Sequence, residues 1–160
     1  MTYLERKHKI AHDWFERGRK GKDPFDRFIS LWIAFNALYC VDEIHEYLQI
    51  DNFIKHNYSY KYNEVLTDID FFHKTISNLH PVGSAPLSTK EYADTLKSDK
   101  ATNKEKLQKL FQYIYIARCN LFHGEKTPGR YHDEEIASHS ADILEKYLTI
   151  YFGEKCELSK

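Results

Sequence analysis

The chain has 160 residues, a formal net charge of −1 and 42% hydrophobic residues, with aromatics contributing 15% of the total. This is enough apolar bulk for one packed domain, which excludes a wholly disordered chain, and the near-neutral charge argues against a general nucleic-acid coat protein, whose non-specific affinity needs excess Lys and Arg. Three cysteines (Cys40, Cys119 and Cys156) stand without paired or CxxC spacing and predict neither a disulfide framework nor a zinc ribbon.

The opening residues are charged from Glu5 to Lys9 rather than apolar, and the longest apolar stretch, Leu31 to Val41, is interrupted by Asn36 and far too short to span a bilayer. A cytoplasmic protein with no membrane partner is therefore expected. Thr2 and Glu5 have the spacing of a capping box, and the first helix is expected over about Tyr3 to Arg17, with Leu4, Ala11 and Phe15 inward and an end near Gly18. His8 and His12 lie four apart on it and could bind zinc, but no third ligand accompanies them, and surface histidines are the simpler reading. The basic run Arg17, Arg19, Lys20 and Lys22 reads more readily as a solvated loop than as a phosphate track.

Asp23 followed by Pro24 marks the second helix, to about Val41, and its apolar surround from Leu31 onward predicts the buried centre of a bundle, in which the amide of Asn36 must find a partner. A shorter helix or two is expected over Ile44 to Ile54. Tyr58, Tyr60 and Tyr62 alternate in a way that fits packing better than base stacking, and a further helix is expected over Val65 to Leu79. Pro81 to Leu87 reads as a loop, and Ser88 with Glu91 opens a minor helix to about Leu96.

Thr102 with Glu105 opens a helix over Asn103 to about Phe122; a loop with Gly124, Pro128 and Gly129 follows, and Asp133 to about Phe152 forms the last helix, its packing face set by Ile136, Ser140, Ile143, Tyr147 and Tyr151. The whole predicts an all-α, compact up-down bundle of about five to seven helices in one domain, residues 1–160, with a long helix pair at its C-terminal end.

Arg118 is the outlier. Leu107, Phe111, Ile114, Arg118 and Phe122 share one stripe flanked by Leu110 and Leu121, so a guanidinium that cannot discharge falls on an apolar face and requires an acceptor. A buried salt bridge to an acid on the first or second helix would supply it, and so would an anionic ligand. Close by, at the expected helix end, are His123, Asn120 and Lys126.

An Arg followed after four residues by a His at the end of a bundle helix resembles the signature of the HEPN superfamily. The stretch Phe28-Ile29-Ser30-Leu31-Trp32-Ile33-Ala34-Phe35-Asn36-Ala37-Leu38-Tyr39, together with Asn120-Leu121-Phe122-His123-Gly124, resembles its Apea-like branch. One position departs: many relatives carry a polar residue, often Asn, directly after the Arg, and here Cys119 stands there. The resemblance implies a homodimer and, in many members, cleavage of single-stranded RNA without a metal or other cofactor; other members are inactive binding modules. It implies catalytic roles for Arg118 and His123, supporting or RNA-binding roles for Asn120, Lys126 and Asn36, and by family analogy a toxin or phage-defence effector with a neutralising antitoxin as partner. The chemistry is coherent with the residues: RNA supplies its own 2'-hydroxyl nucleophile, histidine moves protons near neutral pH, and a planar guanidinium suits the phosphorane. The motif has no cluster of carboxylates for a two-ion site. Protein-interaction scaffolding, with Arg118 merely ion-paired, is the remaining alternative.

Overall fold

The computed structural model describes residues 1–40, 44–67, 89–122 and 131–158. Every element among them is helical: α1 (Tyr3–Lys20), α2 (Pro24–Tyr39), α3 (Glu46–His56), a short 3-10 helix (Tyr60–Leu66), α4 (Thr89–Lys97), α5 (Asn103–Phe122) and α6 (Tyr131–Leu158). The all-α bundle expected from the sequence is what forms. The expected loop at Pro81 to Leu87 and the residues 68–79 of the expected fourth helix lie outside the described residues.

Local chemistry accounts for the starts. The Thr2 hydroxyl accepts from the Glu5 amide while the Glu5 carboxylate accepts from the Thr2 amide, and Thr102 and Glu105 repeat the same reciprocal pair ahead of α5. Asp23 accepts from the amides of Phe25 and Asp26, with Pro24 in the first turn of α2.

The ends differ from expectation where tertiary contacts intervene. Gly18 does not stop α1, which continues through Lys20. A Cβ on Gly18 would lie 2.6 Å from Leu31 Cγ, so the glycine is there to let α1 and α2 approach closely. Leu4, expected inward, is 63% exposed, because the buried stripe of α1 begins only at Ala11. The basic run is helical through Lys20 rather than a loop. In it Arg17 lies over the Trp14 ring and Arg19 pairs with Glu16. Val65 and Leu66 close the 3-10 helix instead of opening an α-helix. The last helix runs from Tyr131 to Leu158, beyond Phe152, since Gly153 faces open space and nothing there obstructs a continuing helix.

Contacts set the directions. Lys7 reaches the Cys40 carbonyl at 2.6 Å while Gly18 meets Leu31, so α1 and α2 are antiparallel. The two packed helices and α6 make one group, tied by Arg27 of α2, which forks to Asp142 at 2.7 Å and to Glu145. The second group is α3 and α4 on α5. Rings fill the space between: Phe35 of α2 lies 5.0 Å from Phe111 of α5, 5.7 Å from Phe53 of α3 and 5.9 Å from Tyr147 of α6, and Tyr62 of the 3-10 helix stacks on Tyr147 at 4.6 Å. Tyr62 is buried, which bears out a packing role, whereas Tyr60 is exposed. The expected inner face of the last helix is buried at all five positions, Ile136, Ser140, Ile143, Tyr147 and Tyr151.

Polar side chains fasten α3 to α5. Gln112 donates to the Asp51 carboxylate at 2.7 Å and Gln108 to the Asp51 carbonyl at 3.1 Å. The other carboxylate oxygen of Asp51 is buried with no hydrogen-bond partner among the described residues. Burial pushes the Asp51 pKa up to about 6, against the opposing pull of Lys109 and the Gln112 hydrogen bond. A carboxyl group whose folded pKa is raised contributes stability that is complete below the unfolded value near 4 and is lost as pH rises through 6. Replacing Asp51 by Asn, which keeps an acceptor for Gln112 and cannot ionise, is expected to raise the melting temperature relative to wild type at pH 7.5 and to lose most of that advantage at pH 4.5. Calorimetry at both values checks this, and an equal gap at both would contradict it.

Candidate functional site

The site forms where α2 ends, α3 begins and α5 approaches its last turn. Asn36 and Tyr39 are three residues apart on the C-terminal turns of α2 and share a face. Glu46 is the first residue of α3, where a carboxylate suits the helix N-terminus. Arg118 comes from α5, one turn before its end.

These four side chains form a chain of polar contacts. The Asn36 amide donates to the Tyr39 hydroxyl at 2.9 Å and to Glu46 Oε1 at 3.2 Å, and the Tyr39 hydroxyl donates to the same Oε1 at 2.5 Å. Glu46 Oε2 faces Arg118 Nη1 at 3.7 Å. That is an ion pair too long for a good hydrogen bond, so Glu46 is held firmly by α2 and only attracts the guanidinium. Burial, and then the bond to Glu46, lift the Tyr39 pKa far above the ordinary phenol value, with Asn36 and Arg118 pulling the other way. The hydroxyl therefore stays protonated and donates.

Arg118 is not sealed in the core. Its side chain is 28% exposed and that of Glu46 26%, so both stand at the rim of the bundle. Among the described residues the acid facing Arg118 is Glu46 on α3, where the first or second helix was expected to supply it. Asn36 finds the partners its position demanded, both internal.

Cys119 accepts from Arg118 Nη1 at 3.8 Å. The hydroxyl of Tyr115, one turn earlier, is pushed up in pKa first by burial and then by the nearby Cys119. Tyr115 stacks on Trp32 of α2 at 6.3 Å. Asn120 points inward: it is 1% exposed, and its amide nitrogen has no hydrogen-bond partner among the described residues. Close by, Ala117 and Leu121 of α5 line a small cavity with Phe25 and Phe28 of α2 and Asp133, Ile136 and Ala137 of α6. His123 and Lys126 lie outside the described residues.

Sequence reasoning singled out Arg118 and Asn36 but not Glu46, Tyr39 or Tyr115. Tyr39 was legible in principle, since it repeats Asn36 at helical spacing. Glu46 carries no such signal, because its role depends on how a separate helix docks.

The paired histidines of α1 are engaged elsewhere. His8 Nε2 lies 3.2 Å from the Tyr151 hydroxyl and is lowered in pKa by burial and then by Lys155, while His12 packs edge-on against Phe152 and faces Glu16. Among the described residues no three His, Cys, Asp or Glu side chains converge as a metal site would require, the three cysteines are free, and no helix is long and apolar enough to cross a membrane.

No family model, curated protein or solved structure matches the chain.

Removing the Tyr39 hydroxyl (Tyr39→Phe) takes the shortest hydrogen bond from Glu46 while leaving ring packing in place, and is expected to cost about 1–2 kcal/mol of stability. Denaturant melts check this; a change within error would show that the contact does not hold α3 to α2.

Proposed function

We propose that this chain is a metal-independent endoribonuclease of HEPN type that cleaves single-stranded RNA by attack of the internal 2'-hydroxyl. The observation that carries the reading is Arg118 itself: an obligate cation on the largely buried C-terminal half of α5, brought to the rim one turn from the helix end, with the Glu46 carboxylate 3.7 Å away. Five residues further along the sequence, after Cys119-Asn120-Leu121-Phe122, comes His123. In this reading Arg118 binds the non-bridging phosphate oxygens and stabilises the phosphorane, and His123 transfers protons. One chain offers one such His, so a homodimer with two copies facing a common cleft supplies both base and acid. Lys126 adds a cation for the RNA backbone. Asn120, buried two residues after Arg118, acts by shaping the last turn of α5, and Asn36 acts through Glu46. A toxin or phage-defence role in the cytoplasm, restrained by an antitoxin protein, fits such an activity.

A second reading has its own observation. The Glu46 carboxylate already neutralises Arg118, as it would in an inactive module that binds RNA or nucleotides, or in a protein-interaction scaffold.

Purified protein is expected to cut single-stranded RNA in the presence of chelator, leaving 2',3'-cyclic phosphate and 5'-hydroxyl ends, and to spare DNA. His123→Ala is expected to slow cleavage on the order of a hundred- to ten-thousandfold, and Arg118→Ala to lower both rate and RNA affinity. Light scattering at tens of micromolar is expected to give a dimer. Equal cutting by wild type and the His123 variant would defeat the enzyme reading; RNA binding that needs Arg118, without cleavage, would establish the inactive module in its place.

A further inference from the structure

We infer that Glu46 is a built-in counter-ion that competes with the RNA phosphate for Arg118 and so sets the affinity of the site. The inference rests on the reading of Arg118 as a phosphate-binding group and adds what controls it.

The two oxygens of Glu46 have different tasks. Oε1 receives the Tyr39 hydroxyl at 2.5 Å and the Asn36 amide at 3.2 Å, both from α2. Oε2 stands 3.7 Å from Arg118 Nη1. The carboxylate is thus anchored by neutral donors on one side and presents its charge to the guanidinium on the other. A residue meant to orient Arg118 would meet it in a close, two-pronged hydrogen bond, as Arg27 meets its two acids on α6. Glu46 makes no such bond, so it acts on Arg118 through its field.

An incoming phosphate brings its own negative charge to the same cation. It must displace the Glu46 carboxylate or sit beside it, and either costs affinity. Both side chains are about a quarter exposed, so solvent moderates the effect without abolishing it. Tyr39 and Asn36 govern the balance: while they hold Oε1, Glu46 cannot close on Arg118.

Two substitutions then move affinity in opposite directions. Glu46→Gln keeps an acceptor for Tyr39 and removes the charge, so it takes this competitor away from Arg118. Tyr39→Phe keeps the charge and removes the tether, which lets the carboxylate close on the guanidinium. Simple damage to the fold would lower affinity in both.

The test is fluorescence anisotropy of the full chain with a single-stranded 2'-O-methyl RNA oligonucleotide, which lacks the nucleophile and cannot be cut. Glu46→Gln is expected to bind roughly three- to tenfold tighter than wild type at low salt, with the gain shrinking as salt rises. Tyr39→Phe is expected to bind more weakly, and adding Arg118→Gln to Glu46→Gln is expected to abolish the gain. Equal or weaker binding by Glu46→Gln, a gain that survives without Arg118, or loss of affinity in both single variants overturns the counter-ion role. If wild type still cleaves natural RNA while Glu46→Gln shows no gain, only this inference fails; if neither wild type nor Glu46→Gln binds or cleaves RNA, the ribonuclease reading fails with it.

Discussion

The bundle depends on the complete burial of the Phe35 ring. From the middle of α2 it meets Phe53 of α3, Phe111 of α5 and Tyr147 of α6, besides Trp32 and Tyr39 of its own helix. Each of these rings belongs to an element that would otherwise expose an apolar face to water, and one shared centre removes all of them from solvent together. A helix serving such a centre cannot be amphipathic, which is why α2 is apolar nearly all round. Apart from Ser30 and the Trp32 indole, the polar side chains of α2 and its cap fall at its ends: Asp23, Asp26 and Arg27 at the start, Asn36 and Tyr39 at the finish.

The candidate site is a consequence of that distribution. Tyr39 contributes its ring to the aromatic core and its hydroxyl to the rim, so one side chain belongs to both. Its hydroxyl catches Glu46 as α3 begins, and Asp51, further along α3, fastens the same helix to Gln112 and Gln108 of α5. The acid that faces Arg118 is therefore positioned by two anchors, one on α2 and one on α5. Stability and site geometry share these anchors, so substitutions in the polar seam between α3 and α5 affect both.

An arginine at the edge of an apolar helix is compatible with a structural ion pair and with anion binding, and the two are connected. A site for phosphate that stood empty of any counter-charge would cost the free protein the repulsion of an unneutralised cation near a low-dielectric core. A weak internal partner lowers that cost and gives way to a stronger external one. In the proposed reading, the length of the Glu46 to Arg118 contact, set against the close fork made by Arg27, corresponds to such a partner.

The sequence by itself determined where most helices begin, because a cap is a contact between residues three apart and needs nothing from the rest of the chain: Thr2 with Glu5, Asp23 with Pro24 and Thr102 with Glu105 were legible for that reason. It also determined the all-helical class, through periodic apolar stripes such as Ile136 to Tyr151, and it marked Arg118, since a charge on an apolar stripe is a conflict visible without coordinates. Only the tertiary structure decided that Gly18 lies inside α1, because the reason is the backbone and side chain of Leu31 on another helix. It alone decided that Glu46 faces Arg118 and that Asp51 is buried against Gln112. Those contacts join residues far apart in sequence, and no local spacing encodes them: they exist because burying Phe35 from every side brings α3 against the end of α2 and along α5.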